Sequence, residues 1–282
     1  MTTLILPRPT LDEGRFASTP VFTDEALFAA CGVRIAFTTR DGGVSSGAYD
    51  SLNLGSHVDD DLDKVLKNRA LLARALAPDV QRPLAEMLIV PKQVHGDRAI
   101  TVEADADVAR AQAEADAGAD AIIVGAREVG ALLCFADCVP VIIVLPTGRF
   151  AVVHAGWRGV ENEITVKTLS VMLDQEVQAG YSRNGLASSA NIYIGPYIHR
   201  ECFETSADIH RIFTDKFGPT CSFDANHIDL GEALRTQLVR CGIDPERIAD
   251  VDICSVCNND RFFSFRAQEG VAGRHGAFAI RC

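Results

Sequence analysis

The chain has 282 residues, enough for one large domain or two small ones. Hydrophobic residues make up 48% and charged residues 23%, a balance too apolar for a disordered chain, so folding is expected throughout. The formal net charge of −11 comes from scattered Asp and Glu with no lysine- or arginine-rich stripe. That excludes wrapping of nucleic-acid phosphates and requires any anionic substrate to be met by local arginines.

The opening Met1–Pro7 is a short apolar run without a basic flank, followed by Asp12 and Glu13, and does not read as a signal peptide. Val33–Thr39 is the first β-branched apolar run and reads as a buried strand. Leu62, Val65, Leu66, Leu72 and Leu76 then fall on one helical stripe, with aspartates at 59–61 as candidate N-caps. A strand at Met87–Val90 follows, then the Ala- and Asp-rich stretch Glu103–Asp120, whose weak periodicity suits a surface loop or an exposed helix.

Four strands come in close succession: Ala121–Val124, Ala131–Phe135, Val141–Leu145 and Phe150–His154. Their short connections leave no room for helical crossovers, so this part of the sheet must be antiparallel or mixed. Ile164, Thr168, Val171 and Met172 form a second helical stripe ending at Gly180, and Ile192–Ile194 a further strand. Ile209, Ile212, Phe213 and Phe217 form a third stripe, stopped by Gly218-Pro219; Leu230, Leu234 and Leu238 form a fourth, opened by Asp229 and Glu232 at capping-box spacing. Strands and helices interleave without a linker or repeat, so the simplest reading is a single α/β domain spanning 1–282. No apolar run is long enough to span a bilayer, so no membrane partner is expected. Nine cysteines, an odd number in a long chain, fit reduced thiols in the cytoplasm better than a disulfide framework. The Cys254/Cys257 CxxC has no second pair at zinc-ribbon spacing and reads as structural or incidental.

Three polar segments each end an apolar run, where a strand delivers side chains to the rim of a sheet: Pro91–Gly96, Phe135–Cys138 and Val153–Gly159. Together they supply His95, His154 and Cys138. A Cys/His₂ set leaves the fourth position of zinc open for water or substrate. The same residues also fit a buried small cysteine with two unrelated histidines, and the spacing alone does not choose between these readings.

Ordered motifs add to this. Phe37-Thr38-Thr39-Arg40-Asp41-Gly42-Gly43-Val44-Ser45, Leu52-Asn53-Leu54, Gln93-Val94-His95-Gly96 and Ala136-Asp137-Cys138-Val139-Pro140-Val141 are followed by His154-Ala155-Gly156-Trp157-Arg158-Gly159, Ile194-Gly195-Pro196, Cys202-Phe203-Glu204, Phe262–Arg266 and Gly273-Arg274. Over most of its length the chain resembles the YfiH-type family, long labelled multicopper polyphenol oxidase or laccase-like and later linked to purine nucleoside phosphorolysis and deamination. The resemblance implies a mixed α/β fold, α+β in its details, with mixed β-sheets in a sandwich-like core flanked by helices. It implies His95, Cys138 and His154 as ligands of a catalytic metal, Zn²⁺ by preference with Cu²⁺ as the alternative, and as the catalytic residues. The implied activities are purine nucleoside phosphorylase, methylthioadenosine phosphorylase and adenosine deaminase, with purine nucleosides and phosphate as small-molecule partners. Three positions depart from the family pattern: Ala267 stands where a second arginine often follows, Asp59 replaces a usual glycine, and Tyr197 stands where cysteine is common.

The remaining polar residues divide between roles. Arg40, before Gly42-Gly43, suits a phosphate or carboxylate contact or a turn in solvent. Arg158 suits phosphate beside the metal or an ion pair with Glu161 or Glu163. Trp157 reads as packing, Asp137 as a partner for a histidine, and Glu204 as an acid/base or a helix-terminal carboxylate. Rival functions are a copper-dependent polyphenol oxidase, a metal-free hydrolase with Cys138 as nucleophile, and a non-catalytic nucleoside-binding regulator. With only seven histidines and no His-x-His pair, a multicopper cluster is hard to assemble.

Overall fold

A computed structural model describes residues 5–282, side chains at 84 and 85 excepted; Met1–Leu4 of the opening run lie outside it. Its strands, numbered in chain order, are β1 (Asp12–Phe16), β2 (Thr19–Thr23), β3 (Val33–Thr38), β4 (Leu88–Ile89), β5 (Ala99–Val102), β6 (Ala121–Val124), β7 (Gly130–Phe135), β8 (Val139–Val144), β9 (Phe150–Ala155), β10 (Asn191–Ile194), β11 (Ile248–Asp250) and β12 (His275–Arg281). They form two mixed six-stranded sheets, ordered β1-β2-β3-β12-β7-β4 and β11-β10-β8-β9-β6-β5. Pairing is antiparallel except at β4–β7, β5–β6 and β10–β11.

The sheets pack face to face. Ile35, Phe37, Leu133, Phe135 and Ala277 of the first sheet share one buried cluster with Ile122, Ile142, Val152 and Tyr193 of the second. The alternate residues point the other way because side chains alternate along a strand. Val141, Ile143 and Val153 pack against the helices Ile164–Gln178 and Leu230–Arg240, and Leu132, Cys134 and Phe278 against the helix Leu62–Leu76. Both faces of the central strands are therefore covered, which is why these strands read as continuous apolar runs, whereas the edge strand β1 is polar and largely exposed. This is the mixed α/β sandwich with flanking helices that the motifs imply.

Local chemistry sets the helix ends. The Asp61 and Asp229 side chains accept from Asp63 N and Glu232 N, and Ser206 caps Ala207–Phe217. Two readings need adjustment. Glu103–Asp120 contains the helix Val108–Asp116, exposed on its outer face as expected, but Val108, Ala111 and Ala115 bury a stripe of mostly small side chains that the weak periodicity does not show. Met87 ends a short helix, Leu84–Met87, and only Leu88–Ile89 pairs as strand.

The close succession of strands has a different cause from hairpin folding within one sheet. The chain crosses from β6 in the second sheet to β7 in the first and returns to β8 through Ala136-Asp137-Cys138. Asp137 makes the return with φ 93, a left-handed conformation rare outside glycine. Cys138 thus lies where the two sheets exchange the chain.

Candidate metal centre

Pairing of Val139 with Ala155 sets Cys138 beside the end of β9, and His154 faces Pro140 across the ladder. His95 arrives from the segment after β4, which Gln93 ties to β7: its amide donates to Cys134 O (2.8 Å) and accepts from Cys134 N (2.8 Å). Ligand atoms of His95, Cys138 and His154 all lie within 4.8 Å of one another, close enough for one ion to draw them together. The rings of His95 and His154 meet edge to face, 4.8 Å apart.

Asp120, fully buried immediately before β6, organises this floor. One carboxylate oxygen accepts from His154 Nδ1 (2.8 Å) and His95 N (3.0 Å), the other from Gly96 N (2.7 Å). It therefore orients the buried imidazole and holds His95 at its left-handed φ of 58. Strained backbone of this kind persists where surrounding contacts over-determine it. Fixing His154 through Nδ1 leaves Nε2 for a ligand, the carboxylate–histidine arrangement typical of metal sites. Gly156 is required by space: a Cβ there would fall 3.0 Å from His95 Cδ2 and 3.2 Å from Cys138 Sγ.

Burial opposes ionisation of the Cys138 thiol, but His154 and His95 outweigh it and hold the thiol at about 6. Burial likewise disfavours charge on His154, yet Cys138 and Asp120 raise it to about 9. Without metal the pair is thus a Cys138 thiolate beside a protonated His154 at neutral pH, and a metal would take the place of the Nε2 proton, giving the thiolate and imidazole donors that zinc takes.

Two cavities open on it. One, of 330 Å³, is lined by His57, Gln93, His95, Cys138, His154, Phe203, Phe265, Arg266 and Arg274; the other, of 320 Å³, adds Trp157 and Arg158. A third, of 630 Å³, shares His57, Gln93 and Cys134 with the first. These volumes suit small-molecule ligands.

Of the two arginines expected at the site, one is there. Arg158 lines the second cavity and stacks on Trp157, 4.2 Å from the ring centroid, instead of pairing with Glu161 or Glu163. Trp157 both packs on the helical side of the second sheet and lines the cavity. Arg40 is absent from the lining: its Nε donates to Asp50 O (2.8 Å), its Nη1 to Asn259 O (2.7 Å), and its guanidinium covers Phe263. Chain carbonyls take its donors, so it ties loops together. Asp137 binds no histidine; it accepts from Ser255 Oγ (2.8 Å) and Arg266 N (2.7 Å), and the histidine partner is Asp120. Glu204 lies before the capped helix and lines neither cavity; its carbonyl accepts from Arg266.

Asp120, His57, Arg266 and Arg274 were assigned no role from the sequence. His57, Arg266 and Arg274 fall inside or beside the matched motifs, which was the available signal. Asp120 abuts a wholly buried strand, where a carboxylate must find partners. Burial, then Arg274 and Arg69, push His57 down to about 4, so it is neutral at pH 7. Burial also lowers Arg274, whose Nη1 donates to the carbonyls of Ala272 and Gly273.

A family model described as multi-copper polyphenol oxidoreductase laccase matches residues 34–282. The chain belongs to that family. Its relatives include "Purine nucleoside phosphorylase YlmD" from Geobacillus stearothermophilus, 32% identical over 89% of this chain and 90% of that one. "Adenosine deaminase RL5", from an unknown prokaryotic organism, is 30% identical over 82% and 87% of the two chains. The crystal structure of YlmD from Geobacillus stearothermophilus superposes with a TM-score of 0.81 at 31% identity, covering 96% of this chain and 99% of that one. Family membership agrees with the ordered motifs. Among the described residues no helix is long and apolar enough to cross a membrane.

Proposed function

We propose that this chain is a metal-dependent purine nucleoside enzyme. It cleaves adenosine, inosine or methylthioadenosine with phosphate to the free base and (methylthio)ribose 1-phosphate, and it deaminates adenosine. The observation that carries the reading is a three-donor set, His95, Cys138 and His154, at the base of cavities walled by Arg158, Arg266 and Arg274. The printed names of the relatives support the substrate class.

Three protein donors are the catalytic pattern for zinc, which when bound supplies Lewis acidity and brings the pKa of water towards neutrality. The protein's own groups do the rest. In phosphorolysis a phosphate oxygen attacks the anomeric carbon as the bond to the base breaks through an oxocarbenium-like sugar. Arg274 and Arg158 hold the phosphate, supplying positive charge that the chain as a whole lacks. Phe203, Phe265 and Trp157 offer ring faces to the base. His57, neutral, has one nitrogen to donate and one to accept. Asp120 keeps the His154 proton on Nδ1, so this imidazole keeps one orientation.

One observation favours a second reading. Asp120, His154 and Cys138 form a line of carboxylate, imidazole and low-pKa thiol, the arrangement of a cysteine hydrolase. A copper oxidase is less well supported, because the other group of clustered donor residues among the described residues contains no histidine. His95→Ala and His154→Ala separate these readings. Each is expected to reduce bound zinc and phosphate-dependent release of hypoxanthine from inosine in parallel. Loss of rate with metal content unchanged favours the hydrolase; copper-dependent oxidation of phenols, with nucleosides untouched, favours the oxidase.

A further inference from the structure

The CxxC at Cys254 and Cys257 is not isolated in space. Cys202 arrives from a distant loop, its sulfur 3.5 Å from that of Cys257, and ligand atoms of Glu201, Cys202, Cys254 and Cys257 all lie within 4.8 Å of one another. None of the nine cysteines is in a disulfide. With Zn–S bonds of about 2.3 Å, sulfurs on one tetrahedral zinc stand roughly 3.8 Å apart, close to the spacing seen here.

We infer that Cys202, Cys254, Cys257 and Glu201 form a second, structural metal site that takes zinc. Three sulfurs and one carboxylate complete four-coordination and leave no open position, unlike the His95–Cys138–His154 set. Soft thiolates select zinc over magnesium or calcium. The backbone N–H of His199 donates to Cys254 Sγ (3.4 Å), the kind of outer contact that supports a metal-bound thiolate. Each thiol releases its proton to solvent as its sulfur bonds the metal.

The position gives the site a purpose. Its loops carry Phe203 on one side and Phe265 and Arg266 on the other, all lining the 330 Å³ cavity, and Arg266 already spans them by donating to Cys202 O (3.0 Å) and Glu204 O (3.2 Å). A metal here staples two walls of the substrate cavity together.

The test is zinc analysis of the purified full-length protein together with alkylation mapping. Cys202→Ser/Cys257→Ser is expected to carry about one zinc per chain fewer than wild type, a difference that does not depend on what occupies the first site. In wild type, zinc is expected to protect the exposed Cys257 from alkylation and a chelator to release it, a readout that needs no variant to fold. Equal zinc content in the two proteins, equal labelling of Cys257 with and without zinc, or a Cys202–Cys257 disulfide in the non-reduced protein would overturn the assignment.

Discussion

The floor and the wall of the cavity are built differently. The floor comes from strand ends of the second sheet: Asp120 and His154 are almost wholly buried, and one carboxylate fixes both histidines. The wall comes from loops: Phe265 is 52% exposed, and Arg266 and Arg274 hold position through backbone carbonyls. A rigid, polar-satisfied floor suits groups that must keep fixed geometry, whereas an adaptable cationic wall suits substrate binding. On this account floor substitutions change metal and rate together, and wall substitutions change KM.

The largest effect is expected from Asp120→Asn. It leaves the size of the side chain nearly unchanged but removes the charge that orients His154, and losing such a partner typically lowers metal affinity by about 10–100-fold. Chelator competition measures this; unchanged affinity would break the claim that Asp120 organises the floor. Next is Gly156→Ala, whose methyl must displace His95 or Cys138. Overpacking of this kind costs about 1–3 kcal/mol, expected as weaker zinc binding together with a melting temperature lowered by a few degrees.

The wall is tested by paired arginines. Arg274→Met is expected to raise KM for phosphate roughly ten- to a hundredfold, since a hydrogen bond to a charged group contributes about 1.5–3 kcal/mol, and to leave zinc content alone. Arg40→Met is expected to lower thermal stability without moving that KM. If Arg40 moves KM and Arg274 does not, the wall has been drawn wrongly.

Outside the floor and the wall, a pH-dependent effect concerns His275, at the start of β12 and fully buried. Burial, with Arg274 nearby, pushes it down to about 3 against an ordinary 6.5. The unfolded chain therefore binds this proton more readily, so the contribution is intact above pH 6.5 and is lost on acidification towards pH 3. The loss is about 1.4 kcal/mol per pH unit within that window. Denaturant titrations at pH 7, 6 and 5 are expected to fall less steeply for His275→Phe than for wild type.

The sequence made legible what periodicity and capping control. Ala121–Val124 matches its strand end for end, and Asp61 and Asp229 cap the helices they were expected to open. It hid β12, the strand between β3 and β7, because Gly276, Ala277 and Ala279 interrupt its apolar run. Small residues are needed there: a Cβ on Gly276 would meet Leu54 and Leu132 at 2.7 and 2.8 Å. Val171 belongs to the second helical stripe, yet it is 41% exposed, as are Leu62 (54%) and Leu66 (45%) of the first, since a few apolar positions do not fix the width of a buried face. For the site, spacing left the three donors ambiguous, and it was the ordered motifs that singled them out. Arg40 misled because a chain carbonyl competes for guanidinium donors as well as a ligand does, and sequence does not show where those carbonyls come to lie.

The central claim is that His95, Cys138 and His154 hold a metal required for nucleoside chemistry. Its most direct test is phosphate-dependent inosine cleavage by wild-type protein, exhaustively demetallated and then titrated with zinc, with His95→Ala treated identically. The account predicts that wild-type activity disappears on demetallation and returns with zinc, while His95→Ala stays inactive throughout. Full activity in the demetallated wild type, abolished by alkylation of Cys138, would contradict it.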